Sequence, residues 1–423
     1  MIFLFIGIFF ALLVLGVPIF ISMIIPCVVA LSINFGNMDV GITIQRIVGG
    51  IDTFSLLSIP FFMFSADIMS KGEIGKRLVN FANSMVGHLP GGLGLTTVLS
   101  CTIFGAISGA GPAAIVAIGL ILYPALQDKG YKPGFSSGLI TAASTLAMLI
   151  PPGIAMILYG VTANVSVGKL FMSGLSVGII VAVVFSVYVL LYAIKHKIPK
   201  QKPATAKEIL QAFKDAFWAL GLPVIILAGI YLGVMTPTEA AAISVAYVII
   251  IELLIYRTVS LQDIFRIAVT SGRMIAMIFI LIGAGSLLSW VITVMQIPQA
   301  IVNTMGGASR LTILIFINVI FLIAGMFLDP NSMIIVLTPL VLPLAKFIGI
   351  DLLHLGIMIV LDAAIGMLTP PFGLNIFVST GTFKRSYAEV VPALVPYIVL
   401  MIGALILISA VPEVALWLPN QMK

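Results

Sequence analysis

The sequence predicts an all-α polytopic membrane protein built from two related halves. Three observations support this prediction: an apolar composition, basic loops that separate the apolar runs, and a proline pair that occurs twice. Of the 423 residues, 61% are hydrophobic and 9% are charged, whereas a soluble domain carries roughly a quarter charged residues. Apolar stretches long enough to cross a ~30 Å hydrocarbon layer recur along almost the whole chain. This composition excludes a water-soluble core, and we expect membrane lipid to surround most of the helices.

The first apolar run begins at Met1. The segment from Met1 to Phe20 has no basic n-region and no small-residue cleavage site before the run continues to about Ser32. A signal peptide has both features. We therefore expect a membrane helix here.

Charge and cysteine content argue against nucleic-acid binding, a disulfide framework and a zinc site. The formal charge of +6 comes from 21 Lys and Arg against 15 Asp and Glu, and most basic residues fall in loops between apolar runs. This distribution follows the positive-inside rule and does not indicate nucleic-acid binding. Cys27 and Cys101 lie within apolar stretches, with no CxxC motif and no His or Cys at metal-ligand spacing. Neither a disulfide framework nor a zinc site is predicted.

The basic loops determine the predicted topology. The polar stretch from Lys195 to Lys207 contains five lysines, and we predict that it is cytoplasmic. Crossings of about the ~20 residues that a spanning helix needs follow on either side. They are predicted at about 171–194, 216–234, 239–256 and 275–296. The basic loops at Lys71, Lys76 and Arg77, at Lys129 and Lys132, at Arg257, Arg266 and Arg273, and at Lys384 and Arg385 are all cytoplasmic only if 93–126 and 311–345 are re-entrant hairpins.

Two stretches that follow cytoplasmic loops are amphipathic. Ala206 to Leu220 and Thr258 to Ala276 mix charged and apolar residues at helical spacing. This pattern is typical of helices that lie along a membrane face. We therefore predict two interfacial helices.

The chain contains an internal repeat at a shift of 219 positions. At this shift Pro124 matches Pro343, Gly130 matches Gly349, Met148-Leu149 matches Met367-Leu368, and Pro151-Pro152 matches Pro370-Pro371. Four predicted crossings separate the two proline-containing helices, 135–160 and 353–381. An even number of crossings means that the two helices run in opposite directions. The halves are thus predicted to be inverted repeats, which are typical of secondary transporters.

Each half combines a hairpin tip with a broken helix. In the first half, Phe104 to Pro112 interrupts an apolar run with three glycines, a serine and a proline, a composition that suits a tight turn. Pro151 and Pro152 lack N–H donors and leave carbonyls of the preceding turn without helical partners. In lipid such carbonyls must be satisfied by protein, water or an ion. Oxygen ligands of this kind suit a compact hard cation, and sodium is the expected one.

The second half repeats the plan and adds two carboxylates. The tip is Gly325 to Ser332 and the broken segment is Asp362 to Gly373. Asp329 and Asp362 are in apolar surroundings, where charged residues mark ion or substrate paths. The alternative is that either one, Asp329 above all, caps a half-helix. For the proline pairs, the alternative is a kink that only helps packing.

Other polar residues are assigned to the scaffold. Thr236-Pro-Thr-Glu239 forms a capping-box pattern, so Glu239 is predicted to be structural. Asp67 and Glu252 are interpreted as snorkelling or paired residues. The three histidines lie near helix ends or loops and are predicted to be interfacial: His88, His196 and His354.

Several motifs together resemble one known family. They are His88-Leu-Pro-Gly-Gly92, Phe104 to Gly109, Ile150-Pro-Pro-Gly153 with Ile157-Leu-Tyr-Gly160, Thr236 to Ala241, and Leu368 to Asn375. Over nearly the entire chain, the sequence is similar to the large membrane (M, DctM-like) subunit of tripartite ATP-independent periplasmic (TRAP) transporters. This resemblance implies an elevator-type, sodium-driven importer of small organic acid anions in the bacterial inner membrane. It also implies two partners, a small four-helix membrane (Q) subunit and a soluble periplasmic substrate-binding (P) protein.

The resemblance further implies two sodium sites where each hairpin tip meets its broken helix. Sodium site 1 would use Ser108, Gly109, Ser144, Met148 and Pro151, and sodium site 2 would use Gly325, Gly366, Thr369 and Pro370. The candidates for substrate binding are Ala110, Thr145, Pro152, Asp329, Asp362 and Gly373. The chain departs from the family at Ala110, Gly111 and Pro112, where serines are frequent. This departure puts side-chain hydroxyl contacts to the substrate in question.

The expected organisation has two parts, a scaffold and a transport domain. The transport domain would comprise 93–160 and 311–381, each a hairpin plus a broken helix. The scaffold would comprise 1–92, 161–310 with the basic linker 195–207, and 382–423.

Three alternative functions remain open from the sequence. The nearest is a self-sufficient sodium–dicarboxylate symporter or exchanger. An intramembrane hydrolase could use Ser108 on its glycine-rich turn, but no histidine falls within a predicted crossing and no HExxH motif occurs, so a base is missing. A passive channel fits broken helices and hairpins less well than an occluding transporter. The sequence does not distinguish a dicarboxylate from a sugar acid such as sialic acid as the substrate.

Overall fold

The computed structural model describes residues 2–35, 40–297, 299–300 and 307–422. Within these ranges the regular elements are all helices. Among the described residues, eight helices are long and apolar enough to cross a membrane, and a bent pair of helices would make a ninth crossing. The predicted all-α, multi-span fold class is confirmed over the part of the chain that the structure describes.

The N-terminal region contains two helices where the sequence predicted one. Helix α1 is Ile2–Val14 and α2 is Ile19–Phe35. Between them Gly16 has a left-handed φ of +76°, and Pro18 follows. Glycine adopts this conformation at low cost and proline removes a helical donor, so the expected helix to Ser32 is interrupted.

Short helices then lead into the first hairpin. Helix α3 is Val40–Ile51, a 3₁₀ turn spans Phe54–Leu57, α4 is Ser58–Lys71 and α5 is Ile74–Val86. The 41–51 and 54–71 segments are bent by 59° relative to each other. Hairpin 1 consists of α6, Gly92–Ser108, and α7, Gly111–Asp128. Broken helix 1 consists of α8, Pro133–Ala143, α9, Leu146–Leu149, and α10, Ile154–Ala163.

The middle of the chain contains four long helices. They are α11, Val167–Lys195, α12, Ala206–Tyr231, α13, Pro237–Ile250 with a π-helical turn at Ile251–Ile255, and α14, Leu261–Val294. The stretches predicted as interfacial helices are not separate elements but the N-terminal parts of α12 and α14. No proline interrupts α14, and α12 contains Pro223 without ending. That these parts lie along the membrane face stays a prediction.

The second hairpin and the second broken helix follow. Hairpin 2 consists of α15, Arg310–Gly325, and α16, Pro330–Phe347. Broken helix 2 consists of α17, Leu352–Gly366, and α18, Leu374–Phe383. The chain continues with α19, Tyr387–Ala410, and α20, Glu413–Leu416, and a 3₁₀ turn spans Pro419–Gln421.

The two broken helices lie antiparallel along their length. The Thr141 and Ser379 hydroxyl oxygens are 2.8 Å apart in a hydrogen bond, and Asn375 Nδ2 donates to Ser144 Oγ over 2.9 Å. At the other end, the Tyr159 hydroxyl donates to the carbonyl oxygen of Leu352 over 2.7 Å. Residue numbers thus rise along one helix as they fall along the other. This arrangement supports the predicted inversion of the two halves, which stays a prediction with respect to the membrane.

Several polar residues of the predicted scaffold have structural roles. The Thr236 capping box is confirmed, because Thr236 N donates to Glu239 Oε2 over 2.8 Å and Glu239 N donates to Thr236 Oγ1 over 3.2 Å. Asp67 Oδ2 accepts a 2.6 Å hydrogen bond from Ser271 Oγ, and Glu252 accepts one from Thr258 Oγ1. The interfacial assignment is wrong for His354. Its side chain is fully buried and its Nε2 lies 2.8 Å from the Ile408 carbonyl oxygen, because α19 covers it.

Candidate functional site

The tip of hairpin 1 closes on broken helix 1 without space for side chains between them. A Cβ at Gly105 would lie 2.7 Å from Ala147 Cα, and a Cβ at Gly109 would lie 2.3 Å from the Pro152 carbonyl oxygen. Gly109 also has a left-handed φ of +58°, which favours glycine. The predicted site-1 residues Ser108 and Gly109 are therefore brought against the proline break.

Broken helix 1 is interrupted at the residues predicted from the prolines. Helix α9 ends at Leu149, Ile150 has extended backbone, and α10 begins after Gly153. The peptide bond between Pro151 and Pro152 is cis. Neither proline can donate to the carbonyls four residues earlier, so helical donors are missing for Ala147 and Met148. This is the backbone arrangement that the sequence analysis expected.

Hairpin 2 meets broken helix 2 through an equivalent contact. A Cβ at Gly366 would lie 2.6 Å from Gly325 Cα, and Phe372 N donates to the Met326 carbonyl oxygen over 3.1 Å. Gly366 and Ala147 are 219 positions apart, which is the repeat shift. Two site-2 candidates, Gly325 and Gly366, are thus brought together.

The remaining site-2 candidates lie in the turn that follows Gly366. The Thr369 hydroxyl donates to the Ile365 carbonyl oxygen over 2.8 Å, and the Pro370–Pro371 peptide bond is cis. Gly373 is buried, and a Cβ there would lie 2.6 Å from the Met367 carbonyl oxygen. The backbone of the turn is therefore packed closely around Gly373, with no space for a side chain there.

Asp329 is the N-cap of α16. Its Oδ2 accepts hydrogen bonds from Asn331 N over 3.0 Å and from Ser332 N over 3.1 Å, and the Ser332 hydroxyl donates to Oδ1. Of the two roles that the sequence left open, the structure shows the helix cap. Both carboxylate oxygens are already used by backbone and hydroxyl donors.

Asp362 has the opposite environment. Its side chain is fully buried within α17, and neither carboxylate oxygen has a hydrogen-bond partner. It lies one helical turn before Gly366. A buried carboxylate without partners is strongly unfavourable unless a proton or a cation neutralises it.

Two further buried oxygens near the first break lack partners. Ser108 Oγ at the hairpin tip and Asn375 Oδ1 in α18 have none. The sequence analysis quoted Asn375 within a family motif but did not assign it to a site. Its signal was available, since it is an amide side chain directly after the second proline break. Its closeness to Ser144 depends on tertiary structure alone.

The other substrate candidates are placed as follows. The Thr145 hydroxyl donates to the Ala142 carbonyl oxygen over 2.7 Å and lies 3.8 Å from Met401 Sδ of α19. Ala110 is half-buried and precedes α7 with extended backbone. Pro152 presents its carbonyl to Gly109. At this junction, Ala110 and Pro152 can offer a ligand only their backbone groups.

Three half-helices that begin at the tip of hairpin 1 or after the breaks lack side-chain caps. No side chain caps α7, α10 or α18 at their preceding residues Ala110, Gly153 and Gly373. Side-chain caps are also absent at α4, α5, α6 and α8, but α16, at the tip of hairpin 2, is capped by Asp329. Uncapped helix N-termini present free N–H groups and a positive dipole end, which favour an anion.

The groups present fit a hard cation better than a transition metal. Within the described residues, no cluster of three or more His, Cys, Asp and Glu side chains could hold a metal ion. The unpartnered side-chain atoms named above are the hydroxyl oxygen of Ser108, the amide oxygen of Asn375 and the carboxylate oxygens of Asp362. Such oxygens, with freed carbonyls, are the ligand type that hard cations take.

Hairpins that close on antiparallel broken helices are typical of membrane secondary transporters. Residues 6–414 match the family model described as the tripartite ATP-independent periplasmic transporter, DctM component. The chain belongs to this family. It is a multi-pass inner-membrane transport protein and not an enzyme, and members of the family work with a small membrane subunit and a periplasmic binding protein.

Two relatives illustrate the similarity. The chain is 41% identical over 410 residues to the ectoine/5-hydroxyectoine TRAP transporter large permease protein of Ruegeria pomeroyi, with 96% of each chain covered. It is 36% identical over 430 residues to the C4-dicarboxylate TRAP transporter large permease protein of Rhodobacter capsulatus, with 98% of each covered. The intramembrane hydrolase alternative is thereby set aside.

A solved structure shares the fold. The crystal structure of the Alcanivorax borkumensis YdaH transporter superimposes with a TM-score of 0.61 at 12% sequence identity, covering 87% of both chains. At this identity the likeness concerns the fold alone.

Proposed function

We propose that this chain is the large permease subunit of a sodium-coupled importer of a small organic carboxylate. Substrate would arrive from a periplasmic binding protein, and a small four-helix membrane subunit would complete the scaffold. The two hairpins and broken helices would move together against the scaffold, in an elevator type of alternating access.

The observation that supports this proposal best is the junction of hairpin 1 with the first break. There Gly109 contacts the Pro152 carbonyl oxygen, and the buried Ser108 hydroxyl has no partner. A cation bound at this junction would satisfy oxygens from both elements at once. It would therefore hold the tip closed, and the closed tip would hold the cation.

The expected substrate carries at least one carboxylate. The tip segments 104–112 and 325–332 and the break segments 144–154 and 362–375 contain no Lys or Arg. The uncapped N-termini of α7, α10 and α18 supply the positive potential instead. Bound sodium would offset the remaining negative charge, which gives an electrostatic reason for coupling.

The relatives' names suggest which compounds to test. Ectoine and a C4-dicarboxylate are named for the relatives, and sialic acid represents the sugar acids. A dicarboxylate would need more compensating charge than a zwitterion such as ectoine. Asp362, if ionised, would increase that need.

The test is uptake by vesicles that contain the chain with its small subunit, together with the binding protein. Uptake of one of these three compounds is expected only with an inward sodium gradient and loaded binding protein. Uptake that is undiminished when potassium replaces sodium would overturn the sodium coupling. Uptake that persists without the binding protein would instead support a self-sufficient symporter.

A further inference from the structure

Asn375 lies where the second broken helix crosses the first. Its side chain is fully buried, and its Nδ2 donates to Ser144 Oγ of the other half over 2.9 Å. Gly111, the first residue of α7, lies against the same amide group. A Cβ at Gly111 would lie 3.0 Å from Asn375 Nδ2 and 3.2 Å from Asn375 Oδ1. Asn375 therefore contacts both the start of α7 at the hairpin tip and broken helix 1.

The hydrogen bonds here leave only acceptors free. The Ser144 hydroxyl donates its one hydrogen to the Thr141 carbonyl oxygen over 2.7 Å. It must then accept from Asn375 Nδ2, which fixes the amide with Oδ1 as the free atom. Asn375 Oδ1 has no partner. A hydroxyl and an amide oxygen each have two lone pairs, so Ser144 and Asn375 both have lone pairs to spare.

A buried acceptor without a partner costs about 1–3 kcal/mol. A small cation would satisfy several such oxygens together, whereas an anion would be repelled by their lone pairs. Ser144 is itself a predicted ligand, and Gly111, three positions after Ser108 at the hairpin tip, lies against Asn375. The free lone pairs therefore favour a cation at this point.

We propose that Asn375 Oδ1 is a ligand of the cation at site 1, so that this site is built from both halves of the chain. This inference rests on the sodium-coupled function proposed above. It adds an oxygen of the second half to the predicted ligands of the first half. Cation binding would then fix the uncapped start of α18 against hairpin 1, and so couple the two halves.

The test is thermal unfolding of the purified chain with its small subunit, over a sodium series at constant ionic strength with potassium. Asn375→Leu removes the amide oxygen at similar volume, and Asn375→Asp keeps an oxygen while adding negative charge. Ser379→Ala is the matched control. It removes a hydrogen bond between the same two helices, to Thr141, and leaves Asn375 Oδ1 and Ser144 in place.

The sodium concentration for half-maximal stabilisation is expected to rise at least about tenfold in Asn375→Leu, as is typical when a metal site loses a supporting group. It should stay within about twofold of wild type in Ser379→Ala, and it should fall in Asn375→Asp, because a carboxylate oxygen beside the cation adds an attractive charge. If Asn375→Leu fails to fold, Asn375→Asp decides. An amide with a purely structural role would leave the half-maximal sodium concentration of Asn375→Asp at its wild-type value, and that result would overturn the inference.

An Asn375→Leu protein that keeps the wild-type sodium dependence, even with a lower unfolding temperature, would overturn the inference and leave the proposed function intact. A wild-type protein that sodium does not stabilise relative to potassium would overturn the proposed function and the inference with it.

Discussion

The two proline breaks share a local sequence pattern but differ in exposure. Pro151 and Pro152 are buried, whereas Pro371 is exposed and Phe372 is 58% exposed. The residues that follow Pro152 are buried as far as Gly160. The break in the helix thus follows from the local sequence, whereas the burial of the break does not.

The difference comes from the neighbouring helices. Helix α11 covers the first break so closely that a Cβ at Gly174 would lie 2.5 Å from the Leu149 carbonyl oxygen. At the second break, the Phe372 ring is paired with the equally exposed Phe327, with ring centroids 6.0 Å apart. The Tyr387 hydroxyl donates to the Pro371 carbonyl oxygen over 3.1 Å. The first break is thus enclosed by protein, whereas the second break is open at its proline turn.

The contact of hairpin 1 with the first break depends on a glycine. Of the substitutions considered, Gly109→Ala is expected to have the largest effect on uptake. The added Cβ would lie 2.3 Å from a backbone oxygen, at a left-handed φ of +58°. Because a displacement of about 1 Å can cost about 100-fold in rate, we expect uptake to fall by about that factor. Gly349→Ala is the control, since Gly349 has a φ of +71° with nothing within 4 Å. Wild-type uptake by Gly109→Ala would contradict the close contact of tip and break.

The difference in burial predicts different costs of truncation at the two breaks. Ile150→Ala removes a side chain that is 2% exposed and is expected to lower the free energy of unfolding by about 2–5 kcal/mol. Phe372→Ala, at the open break, is expected to cost less than about 1 kcal/mol. Chemical unfolding in detergent measures both. Equal losses would mean that the second break is enclosed as well.

Asp362 is an asymmetry between the halves, because Ala143 stands 219 positions before it. Asp362→Leu is expected to raise the free energy of unfolding in potassium by about 1–3 kcal/mol, since it replaces a buried unpaired carboxylate by an apolar group. Uptake is expected to fall at least about tenfold if the carboxylate lies on the ion or substrate path. Asp351→Asn is the control, because Asp351 only caps α17. Lower stability of Asp362→Leu would contradict the cost assigned to the buried carboxylate, and unchanged uptake would contradict its place on the ion or substrate path.

The smallest effect is expected at the tip of hairpin 2. Asp329→Ala removes the cap of α16 and is expected to cost about 1 kcal/mol, whereas Asp329→Asn should stay within about 0.5 kcal/mol, since asparagine caps about as well. Thermal unfolding and uptake measure the two variants. If Asp329→Asn lost uptake as severely as Asp329→Ala, Asp329 would have to act as a charged ligand besides its capping role.

Much of the architecture could be predicted from local sequence. Pro151 and Pro370 remove helical donors wherever they stand, and Gly109 marks a turn by its conformational freedom. The Thr236 capping box is also local, since its partners are three residues apart. By contrast, the N-terminal helix was predicted as one element because its apolar composition outweighed the signal of Gly16.

Burial and pairing could not be predicted in the same way. His354 reads as an end-of-helix residue, yet α19 buries it. Asp329 has three donors, all within three residues of it, so its capping role is a local property. Asp362 is buried and has no donor. The burial of Asp362 and the contact of His354 with Ile408 depend on residues far away in the chain, which local pattern does not reveal.

By itself, the sequence determined the helical membrane class, the two hairpins, the two proline breaks and the family motifs, because these follow from composition, donor loss and backbone freedom. Only the tertiary structure decided that Asn375 lies beside Ser144, that α11 encloses the first break, and that the second break stays open. The first of these features joins segments 231 positions apart, and the other two depend on how separate helices pack around each break. Packing of that kind is set by the sum of many distant contacts.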